Sequence, residues 1–331
     1  MLNYIRIGRR LFPYIWMTLP SGCFFLSNTD TSITREIFVM SKEIKSVIIY
    51  SRINDESVVF TLIDLVNFLV EQKINVIIEQ STNDKLRLSM PTLKFADMKD
   101  QADLMIIVGG DGSMISAGRK IAMVGVPVLG INRGHLGFLT DLAPKDIRKA
   151  LYSILKGEYV LEERFLLSTT IKGPKCQHAL ALNEAVIHGV KTAHMIDFSI
   201  FVNNKFMYSQ KADGLIVSTP TGSTAYNLSA GGPIIEPSLN VLSLVPMFPH
   251  SMNLRPCILS GDSSIKICFR SRITPEEITV SCDGQIIMTA DDRCEICIEK
   301  NEVPIKICHP HTYDYFKVLR SKLGFGSKLV D

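Results

Sequence analysis

Several features are scarce in this chain of 331 residues, and each scarcity closes a class. Only 8% of residues are aromatic, with a single tryptophan, and the net charge is +3. No basic stripe is interleaved with aromatics, so the footprint of a nucleic-acid binder is missing. No uninterrupted apolar run reaches the length of a bilayer span. The one patchy apolar stretch, Leu11 to Leu26, is broken by Pro13 and Pro20. Eight cysteines in a chain this long are not a disulfide framework. Cys268, Cys282, Cys297 and Cys308 sit in apolar, strand-like stretches, as small buried thiols do. Cys294 and Cys297 form a C-x-x-C, but a strand there sends residues three apart to opposite faces, away from zinc or redox chemistry. A reducing, cytoplasmic setting fits this usage. Internal repeats and low-complexity tracts are absent as well. No G-x-x-x-x-G-K-[ST] occurs, which excludes a P-loop kinase.

What is present begins with 46% hydrophobic residues, ample for a core. The length suggests two domains. Residues 1–41 differ from the rest: Arg6, Arg9 and Arg10 precede the apolar stretch, and no acid appears before Asp30. That resembles a signal or transit peptide. The preferred expectation is an unstructured or mis-assigned extension, with Met40 as the true start.

From 42 to 143 strand and helix alternate. Strands are expected at 45–50, 74–79, 103–108 and 126–131, with helices at 57–73, from the glycine turn to about 122, and near 144–156. Residues 80–100 show no clear period and read as a loop or short helix. This predicts an α/β domain with a parallel, Rossmann-like sheet, its ligand at the carboxyl ends of the strands. From 144 to 312 short strand-like runs follow, at 164–171, 179–187, 196–202, 213–218, 263–269, 277–282, 294–299 and 303–308. Asn203-Asn204 and Asp283-Gly284 supply turns. These predict a β-rich antiparallel domain, with one helix starting near Thr221. The segment 313–331 is expected to pack back on the first domain.

Four windows carry chemistry. Ile106 to Gly112 is an apolar run ending in Gly109-Gly110-Asp111-Gly112. Such a turn exposes N–H groups that suit an anion, and it also suits a capped strand-to-helix turn. Asp111 repels phosphate unless it holds a metal or takes a proton, which points to phosphoryl transfer. The third glycine of a dinucleotide fingerprint is replaced by Ile115, which argues against a classical Rossmann dehydrogenase. The second window is Asn132 to Leu139, with two glycines beside Arg133 and His135. In the third, Asn183-Glu184 interrupts an apolar strand. Two polar residues there need partners, either a structural bond or a ligand with donors and acceptors such as adenine and ribose. The fourth, Asp213 to Tyr226, leads from an acid through a strand into a run of small and hydroxyl residues. Those groups suit phosphate or ribose, and equally an ordinary capped loop. Tyr226 can flank a planar base.

Taken in order, these windows resemble the bacterial NAD kinases. The matching blocks are Gly-Gly-Asp-Gly (109–112), Asn-x-Gly-x-Leu-Gly-Phe-Leu-Thr-Asp (132–141), Asn183-Glu184, the run 213–226, Gly-Gly-Pro-Ile (231–234), Pro-Met-Phe-Pro-His (246–250) and Arg255-Pro256. The resemblance spans roughly residues 42–325. Gly-Gly-Asp-Gly alone is weak, since lipid kinases and phosphofructokinases carry similar turns, whereas 213–234 is specific. Ser113 stands where Thr or Asn is common.

The resemblance implies transfer of the terminal phosphate of ATP to the 2′-hydroxyl of the adenosine ribose of NAD, with Mg²⁺ near Asp111. It implies Gly109, Gly110 and Gly112 at the phosphates, Asp111 as the catalytic carboxylate that orients the ribose hydroxyl and accepts its proton, Asn183 and Thr224 at adenine, and Glu184 at ribose. Asp213 and Ala225 would lie near the carboxamide, while Tyr226, Asn227, Leu228 and Ser229 would close around the dinucleotide. His194, Lys211 and Gln285 match further dinucleotide positions. A homotetramer or homodimer without nucleic-acid or membrane partners is implied. A diacylglycerol- or sphingosine-type lipid kinase is the alternative enzyme, and a non-catalytic NAD(P)-binding sensor the alternative of another class.

Overall fold

A computed structural model describes residues 42–53, 56–133, 137–140, 142, 147–190, 195–270 and 277–326, with four short strand pieces between residues 3 and 23. The expected extension, 1–41, otherwise lies outside the described residues.

The apolar runs of the first half become strands buried on both faces, which is what a sheet covered by helices on each side requires. Seven strands form this sheet, in the order 159–164, 305–310, 128–131, 104–108, 46–51, 75–79 and 92–93. All neighbours are parallel except Tyr159–Arg164, which runs antiparallel to Ile305–Pro310. Helices Glu56–Glu71 and Ile147–Leu155 cover one face, burying Leu62, Leu69, Leu151 and Ile154 against Val47, Ile49, Ile106 and Leu129. Helix Asp111–Ile121 covers the other, with Met114, Ala117 and Ile121 on Ile48, Met105 and Ile107. Gly118 permits this close seat: a Cβ there would stand 2.7 Å from Ile305 Cδ1 and 3.7 Å from Leu182 Cδ2. Leu182 comes from the β-rich half, so the helix is clasped between the two layers.

That half is a sandwich of two six-stranded antiparallel sheets. Phe198, Ile200, Ile267 and Ile296 of one sheet interleave with Ile187, Leu215, Val217, Leu244 and Val280 of the other. Strands 205–212, 241–247, 257–260 and 286–291 complete the sheets beyond those expected. Residues 80–100 hold a helix, Gln80–Leu86, a two-residue strand and a 3₁₀ turn.

Three expectations change. Segments 159–164 and 305–310 lie within the range assigned to the β-rich half, yet they hydrogen-bond into the first sheet. The run read as one strand over 179–187 is two, Gln177–Ala181 in one sheet and Glu184–Gly189 in the other. Leu182 and Asn183 form the corner between them. The helix expected from Thr221 is a 3₁₀ turn, Thr221–Thr224, followed by one helical turn, Tyr226–Ser229. Near the carboxyl end, Asp314 caps helix Tyr315–Leu323 through Phe316 N (2.9 Å) and Lys317 N (3.1 Å).

Candidate active site

Strand Leu104–Val108 is wholly buried and ends at Gly109. A Cβ at Gly109 would stand 2.6 Å from Ser113 Oγ, so the turn itself demands glycine there. Gly110 is different: a Cβ would meet nothing within 4 Å, and both Gly110 and Gly112 are exposed. The first turn of a helix leaves its N–H groups without intrahelical acceptors. Bare backbone donors with no side chain over them are open to a ligand.

Asp111 is the first residue of the helix rather than its cap, and its carboxylate turns to the neighbouring loop. Oδ2 accepts from Phe138 N at 2.8 Å. Oδ1 accepts from Leu139 N and from Thr140 Oγ1, each at 3.1 Å. Thr140 is held in turn by Asn132 Nδ2 at 3.0 Å. A Cβ on Gly137 would overlap Asp111 Oδ1 and Thr140 Oγ1 and stand 2.8 Å from Asp111 Cγ. Asn132 and residues 137–140 are therefore a cradle for Asp111. Gly134 and His135 lie outside the described residues.

Asn183 and Glu184 open a central strand of the second sheet, where Glu184 pairs with Ser218. The Asn183 carbonyl accepts from Thr219 N at 2.8 Å and Ser218 Oγ at 3.2 Å. Gly222 packs on that carbonyl so closely that a Cβ would stand 2.5 Å from its carbon. Glu184 is buried, and its Oε2 has no hydrogen-bond partner among the described residues. Burial pushes its carboxyl up to about 8, and the charge of Asp283 adds to the rise. The backbone N–H of Tyr226 partly opposes it. A half-partnered acid held neutral at this corner can donate its O–H to a ligand oxygen, or accept from a ligand hydroxyl once ionised.

The hydroxyl-rich run divides into two groups. Ser218, Thr219 and Ser223 are fully buried and serve the fold. Thr219 Oγ1 donates to Leu182 O at 2.6 Å and accepts from Gly222 N at 3.2 Å. Ser223 Oγ joins Ile235 through both its carbonyl and its N–H, at 3.2 and 3.0 Å. These hydroxyls do not face a ligand, contrary to the simplest reading of the run. Asn227 is likewise fully buried, donating to Ser223 O at 3.2 Å and Pro233 O at 3.1 Å. Thr224, Ala225, Tyr226, Leu228 and Ser229 remain at least partly accessible, with Tyr226 exposed.

Lys211 and Asp213 flank the other end of strand Gly214–Ser218, roughly 13 Å away for a strand of this length. The Lys211 carbonyl accepts from His250 N at 2.9 Å, which places the 246–250 block beside them. They do not join the Asp111–Glu184 cluster. His194 lies outside the described residues. Gln285 does join it: Nε2 donates to Gly112 O at 3.1 Å, and Oε1 accepts from Arg119 at 2.8 Å. Arg119 and Asp283 carry only weak signals in the sequence: a cation beside Lys120 in the last turn of the helix, and an Asp-Gly turn. Among the described residues no group of three or more His, Cys, Asp or Glu could hold a metal ion.

Comparison with known proteins agrees with this layout. The sequence model of the ATP-NAD kinase N-terminal domain matches residues 47–159, and that of the ATP-NAD kinase C-terminal domain matches 182–309. The NAD kinase of Tolumonas auensis is 44% identical over 295 residues, covering 88% of this chain and all of its own. That of Klebsiella pneumoniae is 44% identical over 265 residues, 79% of this chain and 90% of its own. Among solved structures, yeast NADH kinase complexed with NADH superimposes with a TM-score of 0.79 at 25% identity, covering 87% of this chain and 90% of that one. An NAD kinase from Archaeoglobus fulgidus in complex with ATP gives 0.64 at 26%, covering 84% and 97%. With both domains matched in order and the glycine turn linked to the Asn183-Glu184 corner through the turn 283–285, the chain belongs to the ATP-NAD kinase family.

Proposed function

We infer that the protein transfers the terminal phosphoryl group of ATP to the 2′-hydroxyl of the adenosine ribose of NAD, giving NADP. The observation that carries this reading is the placement of Asp111 beside bare glycine N–H groups, tied through Gln285 to the Asn183-Glu184 corner.

A ribose hydroxyl is a weak nucleophile and needs a carboxylate to orient it and accept its proton. An ionised carboxylate offers about four acceptor sites. The cradle fills three of those on Asp111, one at Oδ2 and two at Oδ1. Oδ2 keeps a site for the hydroxyl, while the cradle fixes the direction of the remaining lone pair. Gly110 and Gly112 let phosphate oxygens approach the helix start, where oriented N–H donors stabilise charge that grows in the transition state. Gly109 supports them by setting the turn.

Asn183 and Thr224 suit the adenine edge, and Glu184 the ribose. Tyr226 closes over the base, with Ala225, Leu228 and Ser229 beside it. Asn227 shapes that wall from inside. Asp213, Lys211 and His194 serve the far part of the dinucleotide.

Mg²⁺ takes few protein carboxylates and keeps waters and substrate phosphates as ligands. With three acceptor sites of Asp111 filled by its cradle, the fourth kept for the hydroxyl, and no multi-carboxylate cluster among the described residues, the ion would be held by the phosphates of ATP and by water, close to Asp111. When bound, it supplies charge neutralisation on the phosphates.

The strand and helix layer carrying residues 42–143 acts on the phosphates, the sandwich within 144–312 on the dinucleotide, and the last helix within 313–331 braces the seam: Tyr315 Oη reaches Ile235 O at 3.5 Å. Exposed Phe206, Phe248 and Met252 suit a homo-oligomer, a dimer or tetramer, which light scattering would size. The seven cysteines from Cys176 to Cys308 are free, which suits the cytoplasm. None of the described helices is long and apolar enough to cross a membrane.

The test is NADP formation from NAD, ATP and Mg²⁺, read with an NADP-specific dehydrogenase and set against a panel of lipid acceptors. Absence of NADP, or phosphorylation of a lipid instead, would overturn the reading.

A further inference from the structure

Asp111 and Glu184 come from different layers of the protein, and a proton acceptor and a ribose ligand must share one geometry. The seam between them is bridged by three side chains. Arg119 lies seven residues after Gly112 on helix Asp111–Ile121, on the same face two turns along. Arginine is rarely buried unless paired, and here only 8% of the side chain is exposed. One prong of its guanidinium, Nη1, donates to Asp283 Oδ2, and the other, Nη2, to Gln285 Oε1 at 2.8 Å. Gln285 Nε2 then returns to Gly112 O at 3.1 Å. The hairpin turn Asp283-Gly284-Gln285 thus grips the helix both at its first turn and two turns on.

The same turn grips the other half of the site. The Asp283 carboxylate, with no solvent exposure, accepts from Leu182 N at 2.9 Å, Asn183 N at 2.7 Å and Glu184 N at 3.2 Å. Its own N–H donates to Glu184 O at 2.9 Å. Asp283 holds φ +54°, a conformation that Asp and Asn accept more readily than other side chains. The carboxylate therefore clamps the backbone corner at which the chain changes sheets, and Arg119 fixes the glycine-turn helix to that clamp.

We propose that Arg119 and Asp283 are positioning residues for the phosphoryl transfer, setting the spacing between Asp111 and the Asn183-Glu184 corner. The proposal rests on the kinase reading above. A buried ion pair contributes little net stability against its desolvation cost, but it selects one geometry. A misplacement of about 1 Å at a reacting group costs on the order of a hundredfold in rate. In this arrangement Gln285 is a strut of the seam, with one bond inside the protein at each end of its amide.

The fork is the discriminating feature. Lysine can keep the charge beside Asp283 but lacks the rigid planar fork that fixes Asp283 and Gln285 at one spacing. Arg119→Lys, Arg119→Met and Asp283→Asn would be compared with the parent for kcat, the KM of each substrate and the melting midpoint, with rates scaled to folded protein. Arg119→Lys is expected to melt within a few degrees of the parent while kcat falls roughly ten- to hundredfold and both KM values stay within about threefold. Arg119→Met should lose kcat and melt lower. Asp283→Asn should also move the Glu184-dependent inflection of the pH profile to lower pH, because the charge of Asp283 helps hold that acid neutral. An active parent with Arg119→Lys within twofold of its kcat overturns the positioning role alone. A parent that forms no NADP overturns the kinase reading and this proposal together.

Discussion

Replacing Gly137 by alanine puts the cradle of Asp111 to its sharpest test. The added Cβ would stand 2.8 Å from Asp111 Cγ, inside both its oxygen and the Thr140 hydroxyl. Ordinary contact for such atoms is about 3.5 Å or more, so something must move by the better part of an ångström. Gly137 cannot retreat freely, because its N–H donates to Thr140 O at 3.2 Å. The carboxylate is therefore displaced and loses one or more of its three donors. Overpacking of this kind costs about 1–3 kcal/mol. At about 2–4 °C per kcal/mol for a protein of this size, the melting midpoint should drop by roughly 2–12 °C. The rate should respond more strongly. A shift of about 1 Å in the group that orients the nucleophile lowers kcat about a hundredfold, with the KM for NAD little changed. Steady-state NADP formation and a thermal melt on the same preparation supply both numbers. A Gly137→Ala protein that keeps kcat within threefold of the parent would falsify the claim that the loop sets the catalytic geometry of Asp111.

Other perturbations probe the remaining parts of the site. Asp111→Ala should lower turnover by about 10²–10⁴-fold while NAD affinity stays within several-fold; surviving activity would favour a bystander acid, and loss of NAD binding alone a sensor-like role. Glu184 is raised to about 8 when folded, from an ordinary value of 4.5. The unfolded chain therefore releases its proton first, so Glu184 favours folding fully below pH 4.5, and this contribution fades as pH climbs to about 8. Glu184→Gln should flatten that part of the stability profile between pH 5 and 8.5, and an unchanged slope in chemical denaturation would contradict the assignment. Gly222→Ala drives a Cβ into the Asn183 carbonyl, so it should lower the melting midpoint and raise the KM for NAD, whereas a parent-like KM would detach that corner from the dinucleotide.

Much of the first layer was legible because its signals are local. A buried apolar strand, a glycine turn and an amphipathic helix follow within eighteen residues, 104–121. The Asn183-Glu184 pair was visible as polar residues in an apolar run, but its cause was hidden. Period-two alternation continues through a corner, so a single strand and two strands in different sheets look alike until pairing is known. The hydroxyl run misled for a related reason. Ser and Thr satisfy buried backbone as readily as they meet a ligand, and only packing separates Thr219 and Ser223 from Thr224. The strands at 205–212 and 257–260 lie on sheet edges, where solvent exposure weakens the apolar pattern.

By itself, then, the sequence determined the glycine turn around Asp111, the polar pair at 183–184 and the block 213–226, because each depends on residue types a few positions apart. Only the tertiary structure decided how they meet. Arg119 and Asp283 are separated by 164 residues. Neither forms a local motif with the other, and their pairing arises from the helix being clasped between two layers. Chain-distant contacts of this kind are fixed by packing and by the need to partner every buried charge, and those forces act only once the layers have closed.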